Sequence, residues 1–224
     1  HAARTERPLH AMSPLPHPIQ APPPLVAGRI GIRLIHRRDA EVLQRLLSDN
    51  RAWLQPWEAT YPGGGGAVPG TASMRPTIRH LRRHLTSGAG IPFVVTYDRQ
   101  VVGQLSVSEI SGGAMRSAQI GYWVSQHVAG RGITPVAVAL AIDHLFGALR
   151  LHRVEICIRP ENRASLRIVE KLGLRFEGVR ERYIHIAGQW CDHRCFAVTR
   201  EEVPEGMLTR LGAATVGYPN ETLQ

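Results

Sequence analysis

The pattern of apolar and polar residues predicts a chain of mixed strands and helices. A strand is predicted at 30–34, where every second residue is apolar, and a helix is predicted from Asp39, where apolar residues repeat on one face. A second helical region is predicted at 75–87. The remaining predicted elements are strands at 93–96, 101–110 and 117–124, a helix at 132–148, a strand at 153–158, a helix at 162–172, and strands near 174–186 and 189–199. The order β-α-α-β-β-β-α-β-α-β-β, with antiparallel runs around a βαβ unit, predicts a single α+β (mixed α/β) domain.

Proline and glycine mark the predicted limits of this domain. Residues 1–27 are rich in proline and lack periodicity, which is typical of an extended tail. The domain is predicted over 28–200, and residues 201–224 are predicted to form a C-terminal tail. Within the domain, the glycine run at 63–66 predicts a loop without regular structure.

Composition narrows the class of protein without identifying it. The 224 residues carry a net charge of +9 with 27 basic residues, of which Lys171 is the only lysine. This excess of arginine fits either the codon bias of a GC-rich genome or a polyanionic partner. Three cysteines, an odd number, argue against a disulfide framework, and no apolar run is long enough to cross a membrane. Because the N-terminus lacks a signal-peptide core, we expect a cytoplasmic protein, either a monomer or a homodimer.

The most informative segment is the turn at 127–134, between an apolar strand and an amphipathic helix. Gly130 and Gly132 let the backbone turn tightly and approach a ligand closely. The helix that follows directs unpaired N–H groups and the positive end of its dipole at an anion. The segment lacks the Gly-Lys-Ser/Thr of a Walker loop and the third glycine of a Rossmann fingerprint. It therefore predicts a backbone cradle for a phosphate group.

A second group of candidate residues lies at the start of the helix at 162–172. Asn162 is predicted to cap that helix, and capping is compatible with contact to a ligand. Ser165 lies one turn further into the helix, where a capping role does not readily explain it. The helix that they open follows a strand and the segment Arg159-Pro160-Glu161.

Taken together, these residues resemble the GCN5-related N-acetyltransferases over about 28–200. The segments that carry the resemblance are the turn at 127–134, Asn162 with Ser165, and residues 170–174 and 177–178. Three further segments, at 50–58, 120–124 and 183–193, resemble the branch of ribosomal-protein-alanine N-acetyltransferases (RimJ/RimL-like). The resemblance implies one mixed, mostly antiparallel sheet of about 6–7 strands, flanked by about 4 helices and splayed at its central strands.

Two positions depart from the pattern of the family. His127 stands where relatives usually have Arg or Gln, and Gln119 stands where this branch often has Glu. Because most contacts at the turn come from the backbone, we expect cofactor binding to survive the first change. The second change removes one candidate general base.

The resemblance implies that acetyl-CoA is the co-substrate and that no metal takes part. The strand that ends at Trp123 and Val124 is expected to separate from its neighbour and to hold the pantetheine arm through free backbone groups. Asn162 is expected to bond the same arm. The pyrophosphate is expected at the turn formed by His127, Ala129, Gly130, Arg131, Gly132, Ile133 and Thr134.

Acyl transfer from a thioester to an amine needs an acceptor for the amine proton and a proton for the leaving thiolate. Ser165 stands where relatives place a group near the sulfur, so it is the candidate acid. Glu109, at the end of a strand, and Glu58 are candidate bases, and a chain of water molecules is the alternative. The residues expected to shape the acceptor pocket are Trp57, Tyr122 and Tyr183.

Three alternating residues on one predicted strand raise the alternative of a zinc site. Cys191, His193 and Cys195 share a face of that strand. No fourth ligand is near in sequence, and the usual C-x2-C spacing is absent. Buried cysteines are the favoured interpretation.

The leading hypothesis for function is an acetyl-CoA-dependent N-acetyltransferase that acts on a protein N-terminal α-amine. Within the same class, the alternative acceptor is a small amine such as an amino acid, a polyamine or an aminoglycoside. From other classes, the alternatives are an RNA- or ribosome-associated module and a non-catalytic CoA-binding protein. The arginine clusters that favour RNA are Arg79, Arg82 and Arg83, and Arg29, Arg33, Arg37 and Arg38.

Overall fold

The structure, a computed structural model, describes residues 15, 19–64 and 68–216, with the backbone alone for 213–216. Its strands are β1 (Leu25–Ala27), β2 (Ile30–Leu34), β3 (Ile91–Tyr97), β4 (Gln100–Ser111), β5 (Ser117–Val124), β6 (Arg153–Ile158), β7 (Arg175–Ile186) and β8 (Gln189–Thr199). Its helices are α1 (Ala40–Asp49), α2 (Arg51–Leu54), α3 (Arg75–Thr86), α4 (Ile133–Gly147), α5 (Arg163–Leu172) and α6 (Met207–Val216). Short 3-10 turns lie at Arg37–Asp39, Gln55–Trp57, Gln126–Val128 and Arg200–Glu202.

The described strands form one open, eight-stranded sheet in the order β1-β2-β3-β4-β5-β6-β8-β7. Every neighbouring pair is antiparallel except β5 and β6, which are parallel. Helix α4 makes the long crossover that a parallel pair requires. β5 and β6 pair only from Ser117 to Gln119 on β5 and then separate. The predicted splay of the central strands is therefore confirmed.

Alternate residues of the central strands face two helical layers. Phe93 and Val95 of β3 join the main core with α4, α5 and α6, whereas Val94 joins a second core with α1, α2 and α3. This division follows from the two-residue period of a strand. Helix α4 is apolar on nearly every side because it lies between the sheet, α5 and α6.

The predicted fold class is confirmed. The described residues contain eight strands and six helices, against the expected 6–7 strands and about 4 helices. The predicted domain limits at 28 and 200 are too narrow. Strand β1 lies within the predicted N-terminal tail, and Ile19 is also buried in the main core. Met207 and Leu211 of α6 are buried in the same core. These short segments have too few apolar residues to show a period, but each packs against α4 or its neighbours.

Parts of the predicted tails and loop, at 1–14, 16–18, 65–67 and 217–224, lie outside the described residues. The described part of the glycine-rich loop contains turns and neither helix nor strand, as the sequence predicts. Across the part of the chain that the structure describes, no helix is both long and apolar enough to cross a bilayer.

Candidate active site

The separation of β5 from β6 leaves backbone groups of β5 without a strand partner. Beyond Gln119, β5 pairs only with β4, where Gly103 lies opposite Val124. The carbonyl of Val124 accepts a hydrogen bond from the Trp53 indole N–H at 3.2 Å, which fixes the end of the strand. The unpaired edge at 120–124 fits an extended pantetheine arm, as the resemblance implies.

The glycine turn after β5 has the backbone geometry of an anion cradle. Gly130 and Gly132 adopt left-handed conformations with φ of 80° and 74°. Gly132 is the N-cap of α4 and offers no side chain, so the first N–H groups of the helix, at Ile133 and Thr134, have no side-chain cap. The prediction for Ala129 needs correction, because its N–H already donates to the Gln126 carbonyl at 3.1 Å.

A buried polar network, which sequence reasoning missed, anchors this turn to helix α1. Asn50, at the end of α1, accepts the Gln126 N–H at 2.7 Å and donates to the Ser125 hydroxyl at 2.8 Å. Ser125 in turn bonds the His127 Nδ1 at 2.7 Å. Asn50 and Ser125 are both buried, whereas His127 is exposed. His127 therefore contacts the turn's buried support through Ser125.

A cavity of about 200 Å³ opens between the separated strands. Its walls come from the segment at 57–59, β5, β6, the start of α5 and the hairpin of β7 and β8. Its apolar lining residues include Ile120, Ile156, Ile158, Ile184 and Ile186. Its polar and titratable lining residues are Tyr122, Cys157, Arg159, Asn162, Ser165 and His193.

Ser165, Asn162 and Tyr122 come together at one side of this cavity, as the sequence predicts. Asn162 caps α5, since its Oδ1 accepts the Ser165 N–H at 3.1 Å, and it also lines the cavity. The Tyr122 hydroxyl is buried and faces Ser165, but the two form no hydrogen bond of good geometry. Burial raises the pKa of Tyr122, so this hydroxyl stays protonated at neutral pH.

The structure does not bring either predicted carboxylate base into the cavity lining. Glu58 forms an ion pair with Arg51 and is not among the lining residues, although its neighbours Trp57 and Ala59 are. Glu109 is exposed at a bulge of β4, four residues beyond Leu105, which lies opposite Tyr122. Four residues of strand correspond to about 13 Å. Past Leu105, β4 runs away from the cavity, so Glu109 at its far end is distant from the lining residues.

His193 is the titratable lining residue with the properties of a neutral base. Its Nδ1 lies 3.0 Å from the Cys191 carbonyl oxygen, and since a carbonyl only accepts, Nδ1 carries the proton. Nε2 of the neutral ring is then the proton acceptor. Burial lowers the pKa of His193, which keeps the ring neutral at pH 7. In the sequence, His193 was recognised only as a candidate zinc ligand and not as a base.

Tyr183 lies behind the cavity and is not among the described residues that line it. Its hydroxyl bonds Gln119 at 3.3 Å and Arg180 at 3.0 Å, and its ring packs against that of His193 at 5.8 Å. Gln119 and Arg180 also bond the buried Glu155. This network supports the ring of His193 from behind, so Tyr183 shapes the pocket indirectly.

The cysteines do not group as the zinc alternative requires. Cys191, His193 and Cys195 do share the buried face of β8. Cys195, however, has its sulfur 2.7 Å from that of Cys157 on β6, and together with Glu155 these two form the one cluster of potential metal ligands in the described chain. The Glu155 carboxylate is already bound by Arg153 and Arg180, which favours an ion-pair network over a cation site.

Comparison with known proteins finds matches over most of the chain. A family model described as an acetyltransferase (GNAT) domain matches residues 29–175. The chain is 31% identical to a probable N-acetyltransferase, YjcK, of Bacillus subtilis over 171 residues, which cover 75% of this chain and 93% of the relative. It is 27% identical to the [ribosomal protein uS5]-alanine N-acetyltransferase of Escherichia coli over 190 residues, which cover 81% of this chain and 93% of the relative.

A solved structure is similar over most of the chain. It is the RimJ of Mycobacterium smegmatis in complex with CoA-disulfide, with a TM-score of 0.78 and 36% identity, covering 86% of this chain and 93% of the other. That relative binds CoA, and the unpaired edge of β5 and the glycine turn described above are the features of this chain that fit the same group.

Proposed function

The chain belongs to the GNAT acetyltransferase family and is an N-acetyltransferase with acetyl-CoA as its co-substrate, and we propose that its acceptor is the N-terminal α-amine of a ribosomal protein. The acceptor is supported by the similarity to the uS5-alanine N-acetyltransferase of Escherichia coli. Bound acetyl-CoA supplies the thioester that the amine attacks. The residues of this chain that would hold it are the unpaired edge at 120–124, Asn162 and the N–H groups of Ile133 and Thr134.

The observation that carries this proposal is the character of the cavity. Among the described residues that line it, none is a carboxylate, and five isoleucines contribute apolar surface to its walls. A polyamine carries several positive charges, and a cavity that offers Arg159 and no acidic side chain is a poor site for it. A short apolar N-terminal residue such as alanine suits these walls.

The pKa of the acceptor's ammonium group also favours an N-terminal α-amine over a lysine side chain. An α-amine has a pKa of about 7.7–8.0, so roughly a third of it is neutral at pH 7.5, whereas a lysine amine with a pKa of about 10.4 is roughly a thousandth neutral. His193 is a weak base, because burial lowers its pKa. A weak base suffices for an amine that is already partly neutral, and it gives a lysine side chain little help.

We assign the proton transfers to two side chains of the cavity. His193 accepts the proton that the amine loses as it attacks, because its Nε2 is the unprotonated nitrogen. Ser165 gives a proton to the departing sulfur and regains one from solvent, while His193 releases the amine proton to solvent, so the two transfers balance. Asn162 positions Ser165 through its capping hydrogen bond.

The acceptor is tested by measuring thiol release from acetyl-CoA with three substrates. They are a peptide that begins with alanine, a peptide with a blocked N-terminus and an internal lysine, and spermidine. We expect release with the first substrate alone. Release with spermidine or with the blocked peptide, and none with the free alanine, would overturn the proposed acceptor.

The role of His193 is tested by His193→Gln, with Cys191→Ser on the same face of β8 as the control. We expect kcat to fall about 100-fold in the first variant with an unchanged KM for acetyl-CoA. The control is expected to keep its kcat. Equal kcat values in the two variants would exclude His193 as the proton acceptor.

A ribosomal-protein acceptor also implies that the enzyme works in the cytoplasm, close to the ribosome.

A further inference from the structure

Four arginines line a second and larger cavity, of about 370 Å³, away from the active site. Arg37 and Arg38 come from the 3-10 turn after β2, and Arg75 and Arg79 come from the first two turns of α3. All four are exposed. Two clusters that are separate in the sequence therefore meet at one place, which we call the arginine groove.

Most of the charge in the arginine groove is not neutralised. Arg37, Arg38 and Arg79 form no hydrogen bond through their side chains and no ion pair with any described residue, and Arg75 has one exposed contact, with Glu41 at 3.7 Å. Three of the other four arginines in the two clusters have structural partners. Arg29 pairs with Asp98, Arg33 with Asp39, and Arg82 donates to the Ile35 carbonyl.

The arginine groove is distinct from the cofactor site. Strands β2 and β5 run in opposite directions, as the three antiparallel pairings between them require. The groove follows β2 and the glycine turn follows β5, so the two lie at opposite ends of the sheet. Helix α1 links them, from Ala40 beside the groove to Asn50 at the turn, and its ten residues span about 15 Å.

The side chains of the groove favour a phosphate backbone over other partners. A guanidinium presents a planar pair of donors that matches two phosphate oxygens. Protein interfaces and membrane-binding helices need apolar side chains at their centre. Among the described residues, arginines alone line the groove, and none of the large exposed hydrophobic residues is among them.

We propose that the arginine groove binds the phosphate backbone of RNA. The ligand is a polyanion with phosphates spaced along a strand, read without base specificity. Arg75 and Arg79 lie one helical turn apart on α3, so they reach successive points along such a strand, and Arg37 and Arg38 face them from the other wall. The proposal concerns a second site and does not depend on which amine the enzyme acetylates.

The test is a titration of the full chain against a short fluorescein-labelled single-stranded RNA, followed by anisotropy at several salt concentrations. The variant is Arg37→Gln/Arg79→Gln, and the matched control is Arg116→Gln/Arg150→Gln, which removes two exposed arginines that also have no side-chain partner among the described residues. We expect about tenfold weaker binding in the variant and a salt slope that is less steep by about 1.4, since each lost contact removes about 0.7. The control is expected to retain the affinity and slope of the unmodified chain.

Four results would overturn the proposal. The first is absence of RNA binding at low salt, and the second is equal loss of affinity in the variant and the control. The third is that coenzyme A displaces the RNA and that Arg37→Gln/Arg79→Gln has a raised KM for acetyl-CoA. Those two results together would make the groove part of the cofactor site. Loss of binding to phosphatidylserine vesicles, with RNA binding intact, would likewise identify a membrane site instead. Acetylation of the alanine peptide is measured in parallel and is expected to be equal in both variants.

Discussion

β4 and β5 approach each other closely at Gly103, near the point where β5 has separated from β6. A substitution at Gly103 tests whether β4 holds the end of β5 in place. A Cβ atom at Gly103 would lie 2.8 Å from the Val124 Cα and closer still to the Trp123 carbonyl oxygen. Ordinary contact begins at 3.4 Å, so Gly103→Ala requires β5 to move by at least about 0.6 Å at the point where it reaches the glycine turn. Both obstacles are backbone atoms, and no side-chain rotation relieves them.

The expected cost follows from this geometry. Overpacking of a rigid site costs about 1–3 kcal/mol, and the upper end applies because the neighbouring atoms belong to a strand. For a chain of this size each kcal/mol corresponds to about 2–4 °C, so we expect Gly103→Ala to melt roughly 6–12 °C lower. Thermal unfolding followed by circular dichroism measures this shift. Because β5 leads into the turn, we also expect weaker binding of coenzyme A by calorimetry.

Gly121→Ala is the matched control on the facing strand. A Cβ at Gly121 meets no atom within 4 Å, and the residue lines the active-site cavity. We expect its stability to be unchanged or higher by about 0.5–1 kcal/mol, because alanine loses less entropy than glycine on folding. Its methyl group enters the cavity, so acetyl transfer is expected to fall. If Gly103→Ala melts as high as Gly121→Ala, β4 and β5 are not held at this distance and the argument fails.

Three further predictions concern the support of the glycine turn and the effect of pH. Asn50→Ala leaves the Gln126 N–H and the Ser125 hydroxyl without their buried partner, so we expect a loss of about 2–4 kcal/mol in denaturant unfolding, while Gln44→Ala on the same helix is expected to cost little. Gly132→Ala places a methyl group on a residue with φ of 74°, where it meets no neighbouring atom. We expect the backbone strain to lower the free energy of unfolding by about 1–2 kcal/mol and to weaken coenzyme A binding. An unchanged affinity for coenzyme A would mean that the turn does not hold the pyrophosphate. Burial lowers the pKa of His144 below its usual 6.5, so the imidazole of the unfolded chain is protonated at a higher pH than that of the folded chain. Stability is therefore lost as the pH falls through 6.5. The melting temperature of His144→Leu is expected to fall less between pH 7 and 5 than that of the unmodified chain, and an equal fall in both would contradict this.

The sequence predicts the central part of the fold well because its elements have clear periods. β5, α4, β6 and α5 all lie within a few residues of their predicted bounds. The segments that were missed are short: β1 has three residues, and α6 has its buried side chains at Met207 and Leu211. Three or four apolar residues do not establish a period, and only the surface of α4 that they cover shows why they are ordered.

The predicted helix cap at Asn162 and the tight turn at Gly130 and Gly132 are confirmed, whereas the roles of the site residues toward cofactor and acceptor stay predictions. Asn162 and the two glycines have roles set by local conformation, which the sequence encodes directly. The direction of β4 and the partner of Glu58 depend on tertiary structure, so neither carboxylate could be excluded from the sequence. His193 was identified as unusual by its alternation with two cysteines, but the hydrogen bond that fixes its tautomer is visible only in the folded hairpin.

The acceptor side of the site is assembled from segments that are far apart in the chain, which explains why cofactor motifs do not identify the acceptor. Arg159, at the end of β6, donates to the Pro56 carbonyl at 2.9 Å and lies over the Trp57 ring. The Thr60 N–H donates to the His185 carbonyl at 2.8 Å, which ties the same segment to β7. Three separate segments thus hold one wall, so a change in any of them moves Trp57 relative to the isoleucines opposite. Under the proposed function, we expect selectivity for the amine to depend on how these segments fit together, and cofactor binding to depend on one strand, one turn and one helix start.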